Sequence, residues 1–229
     1  MALLIGDVAM KGWDRVVRQA RAVATREQIV VGAAQAFGKS GFEGASLAEI
    51  LDSGQVSKGA MYFHFRSKEE LAQAIIEQQH GVSIGAIETV AGVRASAIEQ
   101  IVMLCHEMAR QMIEDPVVRA GIRLTLEVSA VGGPSDPYVD WIEGCRVLVE
   151  RAQSEGDIVD TVAPAILART VIACFTGIQM VSNVLSARVD LEGQIDAFWG
   201  LLLPSIMPTA RHGRIEHICH ARLLPYQSA

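Results

Sequence analysis

The chain has 229 residues, half of them apolar and 20% charged, which allows one large domain or two small ones with a real core. Its net charge of -6 argues at first against a nucleic-acid partner. The four cysteines, Cys105, Cys145, Cys174 and Cys219, show no CxxC spacing and no histidine partners at metal-ligand distances, so they read as buried hydrophobes in a reduced compartment and no metal is expected.

The first residues, MALLIGDVAMKGWDR, place apolar residues before basic ones, the reverse of a signal peptide. Apolar runs read as too short to span a bilayer, so a soluble, cytoplasmic protein without a membrane partner is expected. Charge is unevenly spread. All four lysines (Lys11, Lys39, Lys58, Lys68) lie in the first 70 residues, which hold nine basic against eight acidic residues; the remainder holds eleven against eighteen. The N-terminal part therefore suits an anionic partner better than the rest. Lys11, Arg15, Arg18, Arg21 and Arg26 stud the first stretch, as either a basic arm for DNA or a solvated helix.

Three capping boxes follow: Thr25-Arg-Glu-Gln28, Ser46-Leu-Ala-Glu49 and Ser67-Lys-Glu-Glu70. In each, a hydroxyl accepts from a free first-turn N–H, and the side chain three residues on reaches back. The spacing predicts a first helix over about 25–40, with Ile29, Ala33, Ala36 and Phe37 on one face and Gly41 ending it. A short second helix spans about 46–53. Gly54 is assigned the positive φ of a tight turn. Ser57 caps a third helix reaching about His64, with Ala60, Met61, Phe63 and Phe65 turned to the core. Two short helices joined by a glycine turn form a helix-turn-helix, whose second helix enters the major groove by its N-terminal residues, here Ser57, Lys58 and Gly59. Tyr62 lies one turn after Lys58 and shares its exposed side, while His64 and Lys68 continue the polar edge.

A longer helix is predicted over about 67–91. Further helices are predicted at about 94–114, 116–130, 137–155, 163–186 and 190–206, separated by Asp115-Pro116, Gly132-Gly133-Pro134, Gly156 and Asp190. No stretch alternates as a strand does, so the fold class is all-α. The segment after Pro208 reads as a frayed end despite its three histidines and one cysteine. The organisation expected is a basic extension over 1–23, a helix-turn-helix domain over 24–69, a helical ligand-binding and dimerisation domain over 70–208, and a tail over 209–229.

The stretch ASLAEILDSGQVSKGAMYFHFRSKEELAQAI resembles the DNA-binding region of the TetR family of bacterial repressors. The turn glycine, Ser-Lys-Gly, Tyr-x-His-Phe and Ser-Lys-Glu-x-Leu fall in order. The blocks YFHFRSKEELAQAIIEQQ, DPVVRAGIRL, PYVDWIEG and FTGIQMVSNVLS are similar to the γ-butyrolactone receptors of Streptomyces and related actinobacteria. The resemblance implies a homodimeric repressor on a palindromic operator, released by a small signalling lactone and governing secondary metabolism or antibiotic production. It implies DNA contacts from Arg26, Ser46, Ser57, Lys58, Gly59, Tyr62, His64 and Lys68. It also implies lactone contacts from Gln79, Trp141 and Thr176, joined by Gln179, which sits among apolar neighbours on the 163–186 helix. The helices 163–186 and 190–206, poor in charge, would form the dimer face. Some relatives of these receptors sense antibiotics or precursors, and a regulator with a vestigial pocket is a further alternative.

An enzyme is not expected. The sequence carries no G-x-S-x-G, H-E-x-x-H, P-loop or dinucleotide fingerprint, no catalytic residue is assigned, and no cofactor is implied.

Overall fold

A computed structural model describes residues 2–129 and 136–223, with side chains over 17–128 and 137–223. The Gly132-Gly133-Pro134 break and the side chains of Lys11 and Arg15 lie outside these described residues. Every regular element among them is a helix: α1 (Ala2–Gly44), α2 (Leu47–Gly54), α3 (Lys58–His64), α4 (Lys68–Ala91), α5 (Ala97–Glu114), α6 (Pro116–Ser129), α7 (Asp136–Ser154), α8 (Pro164–Ser186) and α9 (Leu191–Ile206). A 3-10 turn (Thr209–Arg214) and α10 (Ile215–Cys219) follow. The all-α expectation holds.

The chain divides into two compact units. The first comprises Met1–Gln79 with Pro116–Gly132, and the second His80–Asp115 with Gly133–Ala229. The helix α6 therefore packs with the N-terminal helices, and its hydrogen bonds to the end of α1 join residues 85 positions apart in the chain.

In the first unit a dry core is built from Ile29, Ala33 and Phe37 of α1, Ile50 of α2, Met61 of α3, Leu71 and Ile75 of α4, and Leu124 of α6. The helix α1 is continuous from Ala2, so Thr25 is no helix start. Its first-turn donors already have partners one turn upstream, and the capping pattern has nothing to cap. Gly41 does break the helix, with φ 73° and ψ 177°. The α6 side chains fix that break. Glu127 accepts from Phe42 N at 2.7 Å, and Arg123 donates to Gly38 O at 2.8 Å and to Glu127 at 2.6 Å.

Gly54 has a different duty from the one its place in the sequence suggests. The positive φ of the turn, 50°, belongs to Gln55. Gly54 ends α2 where that helix presses on α1. A Cβ on Gly32 would overlap the Gly54 backbone, and a Cβ on Gly54 would stand 3.0 Å from Gln28 O. Both glycines are required by close approach of two backbones.

The second unit has its own core, with Trp199, Ile98, Ile158 and Leu191 fully buried. The segment after Pro208 is ordered through 223, against the expectation of a frayed end. Ile218 is buried, Arg211 and Arg214 both bind the buried carboxylate of Asp157, and Arg222 donates to Asp196 at 2.9 Å. These partners lie 26 to 57 positions away in the chain, beyond the reach of any local pattern.

The helix α8, with 23 residues, is by length and composition long enough to cross a membrane, the one such helix among the described residues. Its apolar residues Met180, Val181, Val184 and Leu185 are exposed, and Leu167, Ala168 and Val171 are buried.

Candidate DNA-reading helix and effector cluster

The DNA-reading segment is assembled by caps. The side chain of Ser46 accepts from Glu49 N at 3.2 Å, and Glu49 accepts back from Ser46 N at 2.8 Å. The Ser46 hydroxyl and backbone together hold the Glu49 carboxyl below its usual range. The Ser57 hydroxyl accepts from Ala60 N at 3.1 Å and starts α3. The Ser67 hydroxyl does the same for α4, accepting from Glu70 N at 3.2 Å.

On α3, Met61 and the adjoining Phe65 are buried, and Ser57, Lys58, Gly59 and Tyr62 are exposed. The Lys58 ammonium stands 5.9 Å from the Tyr62 ring centroid, so the two share one face as expected. Phe63 departs from expectation: it is 81% exposed, with only the half-buried His64 ring against it, at 5.0 Å edge-on. Phe63 sits two positions after the buried Met61 and so on another side of α3, whereas Phe65 is the extended C-cap, beyond the helix, and is buried.

Arg26 and Lys68 are tied to this scaffold. The exposed Arg26 guanidinium lies over the Phe65 ring at 5.0 Å. Lys68 is half-buried and also ties the fold together: Nζ donates to Phe42 O at 2.8 Å and sits 4.5 Å over the Phe42 ring. These bonds close the start of α4 onto the end of α1.

The residues assigned to the effector fall in both units. Gln79, mid-helix in α4 rather than at a helix end, is fully buried in the first unit, where its side chain fills the space a Cβ on Gly121 would need. In the second unit, Trp141 packs edge-on against Tyr138, with centroids 4.9 Å apart. Tyr138 Oη lies 3.3 Å from Thr176 Oγ. The Thr176 hydroxyl donates to Ile172 O at 2.9 Å, so Tyr138 is the donor to Thr176. Burial pushes the Tyr138 phenol up, and the bond to Thr176 only partly offsets this. Trp141 Nε1 is buried and has no hydrogen-bond partner among the described residues. Gln179 is buried but turned elsewhere, with its amide oxygen 3.4 Å from an Arg188 guanidinium nitrogen.

Tyr138 escaped the sequence reading. Its signal was present, since it sits three residues before Trp141 on one helix face. Exposed apolar side chains form the unit's other surface feature: Val184, Leu185, Val189 and Leu201 are each at least 76% exposed, at the end of α8 and on α9. Among the described residues no cluster of His, Cys, Asp and Glu could hold a metal.

A capped, cation-bearing helix within a helix-turn-helix, in a chain that carries a second helical unit, marks the class as a helix-turn-helix regulator. Residues 29–75 match the bacterial regulatory proteins of the tetR family, and residues 95–208 match the tetracyclin repressor-like C-terminal domain. The chain belongs to the TetR family of transcriptional regulators. It is 39% identical over 203 residues to the A-factor receptor protein of Streptomyces griseus, spanning 89% of this chain and 70% of that one. A solved γ-butyrolactone receptor described as ArpA-like superposes with a TM-score of 0.74 at 29% identity, over 87% of this chain and 96% of the other. CprB of Streptomyces coelicolor, solved with its biological operator sequence, gives 0.74 at 30% identity over the same shares.

Proposed function

We propose that the protein is a ligand-released repressor that binds a near-palindromic operator as a homodimer and leaves it when a small molecule of the γ-butyrolactone type binds. The carrying observation is the 39% identity to the A-factor receptor over most of the chain. On this reading Lys58, Tyr62 and the exposed end of α3 meet DNA, with Ser57 and Ser46 serving the caps that present them. Half-site centres then fall about one helical turn apart, roughly 34–36 Å, or a multiple of it. The exposed apolar residues of α8 and α9 supply the surface for a second copy, because a patch of this kind is costly to leave in water. That use favours a soluble, cytoplasmic protein over a membrane span for α8. A binding cluster without a nucleophile or acid–base pair suits recognition rather than turnover.

Trp141, beside Tyr138 and Thr176, is the centre of the effector site. An effector shifts the population only if it binds the released shape better than the DNA-bound one. Moving it from 1:99 to 99:1 needs about a 10⁴-fold preference, roughly 5.5 kcal/mol. The test is a gel shift with operator DNA and graded γ-butyrolactone, for the wild type and for Trp141→Ala. Release of the wild type and retention of the variant at the same concentrations support the reading. Equal release places Trp141 in the core. No release of the wild type by any lactone removes the lactone class.

A further inference from the structure

The line of α1 that faces the core of the first unit runs through Ile29, Ala33 and Phe37, all buried. Followed towards the N-terminus in the same steps of three and four residues, that line passes through Arg26, Ala22, Arg18, Arg15 and Lys11. The side of the helix that is apolar where protein covers it thus becomes basic where the helix leaves the core. The helix itself continues unbroken back to Ala2, about 40 Å ahead of Ile29. From Val17 to Gln28 no residue is buried.

Residues 10–26 hold five basic residues, Lys11, Arg15, Arg18, Arg21 and Arg26, against one acid, Asp14, in a chain whose net charge is -6. The stripe is therefore a cationic side on an anionic protein. Its foot is fixed to the reading helix: the Arg26 guanidinium lies 5.0 Å over the ring of Phe65, the C-cap of α3. The stripe starts on the side of α1 against which α3 sits, and α3 carries the exposed Lys58 and Tyr62. A helix without tertiary packing is marginal in water, so a long unburied stretch of this kind points to a partner that covers it. A cationic stripe is covered by a polyanion, and the polyanion that α3 meets is DNA.

We propose that the N-terminal part of α1 is a second DNA-binding element, whose stripe of Lys11, Arg15 and Arg18 lies along the phosphates that flank each half-site, outside the stretch read by α3. This rests on the reading of α3 as the DNA-reading helix. From Arg26 to Lys11 the stripe is about 22 Å long, which spans roughly six or seven base pairs at about 3.4 Å each. Phosphates carry no sequence, so the arm adds affinity and salt dependence without base preference. The operator needed for full affinity is then longer than its two half-sites by that span at each end.

The test uses the full chain and a duplex that the wild type selects from a random pool. That duplex is made in two forms, trimmed to its half-sites or extended by about ten base pairs at each end, with two unrelated flanking sequences. The wild type should bind the extended form at least about tenfold more tightly at low salt, whichever flank is used, and with a steeper slope of log K against log salt. The double variant Arg15→Ala/Arg18→Ala removes two charges from each copy. In a dimer its salt slope on the extended form should fall by about three to four units, and its preference for that form should shrink towards none. On the trimmed form it should bind as the wild type does, with an unchanged thermal midpoint. If the variant does not fold, the wild-type length comparison decides alone. No gain from the flanks, a gain tied to one flanking sequence, or a variant that keeps the full gain overturns the arm and leaves α3 as the DNA reader. If the wild type selects no duplex, the DNA-reading helix itself falls, and this proposal falls with it.

Discussion

The two units differ in where the polar pairs nearest their candidate sites come from. In the first, the caps that frame the DNA-reading helix pair residues three apart, Ser46 with Glu49, Ser57 with Ala60 and Ser67 with Glu70, although Lys68 and Glu127 reach Phe42 from 26 and 85 positions away. In the second, the decisive partners are distant in sequence: Asp157 with Arg211 and Arg214, Asp140 with His80, Thr176 with Tyr138. Local pairing gives a rigid frame that presents exposed side chains to a large fixed surface. Long-range pairing builds an interior in which some buried polar atoms, Trp141 Nε1 among them, have no hydrogen-bond partner among the described residues. DNA is read from outside, whereas a small molecule must be enclosed.

The sharpest way to break the first unit is at its closest backbone approach. A side chain at Gly32 meets the Gly54 backbone, which has no rotamer to yield. Gly32→Val should cost about 3 kcal/mol or more, seen as a large drop in thermal midpoint and loss of operator binding. A midpoint within a degree or two of wild type would show that α1 and α2 do not depend on that contact.

The same difference decides what the sequence reveals. Capping is a matter of three residues, so the starts of α2, α3 and α4 were legible, along with the helix-turn-helix they frame. Thr25-Arg-Glu-Gln28 has the same pattern and starts nothing, because the residues before it are helical too. The order of the tail was illegible, since its anchors lie just after α7, at Asp157, and on α9, at Asp196. So was the pairing of His80 with Asp140, 60 positions apart in the sequence. Of the residues proposed to meet the effector, Trp141 and Thr176 came from family likeness, and packing places Tyr138 against both.

The second unit's long-range ties can be tested at Asp157, a buried carboxylate holding two half-exposed arginines. Asp157→Ala should cost about 2 kcal/mol, because charged hydrogen bonds are lost while the freed arginines can reach water. Limited trypsin digestion should then cut at Arg211 or Arg214 well before the wild type is cut there. Equal resistance would mean that the packing of Ile218 and Cys219 alone retains the tail.

Burial in this unit also leaves a signature in alkali. The Cys145 thiol is pushed up to about 12 by burial. Its unfolded counterpart ionises near pH 9. The folded state therefore keeps a proton that the unfolded state loses, and stability falls as pH rises from 9 towards 12. The slope is about 1.4 kcal/mol per pH unit from this group. Urea unfolding at pH 8.5 and 10 should show that loss in the wild type and a smaller one in Cys145→Ala. Equal losses would assign the effect to other groups.

At the DNA surface the effects turn from stability to binding. Lys58→Ala should leave folding unchanged, since its ammonium touches only the exposed Tyr62 ring. It should weaken binding across sequences and lower the slope of log K against log salt by about one unit. An unchanged slope with a change at one base position would make Lys58 a base reader instead.

The smallest expected change in stability separates the two phenylalanines of α3 and its C-cap. Phe65 is buried at 2% exposure, under the Arg26 guanidinium, and Phe65→Ala should cost about 3–5 kcal/mol. Phe63, at 81% exposure, removes almost no area from water, so Phe63→Ala should shift stability by less than about 0.5 kcal/mol. A large exposed ring beside Tyr62 and His64 has apolar surface that a thymine methyl or a deoxyribose can cover. Operator affinity should therefore fall in Phe63→Ala, with the salt slope unchanged because no charge is removed. Denaturant unfolding and salt-dependent binding of this one variant separate the possibilities. A stability loss of several kcal/mol would return Phe63 to the core. Unchanged stability with unchanged affinity would leave it a surface ring that touches neither core nor DNA.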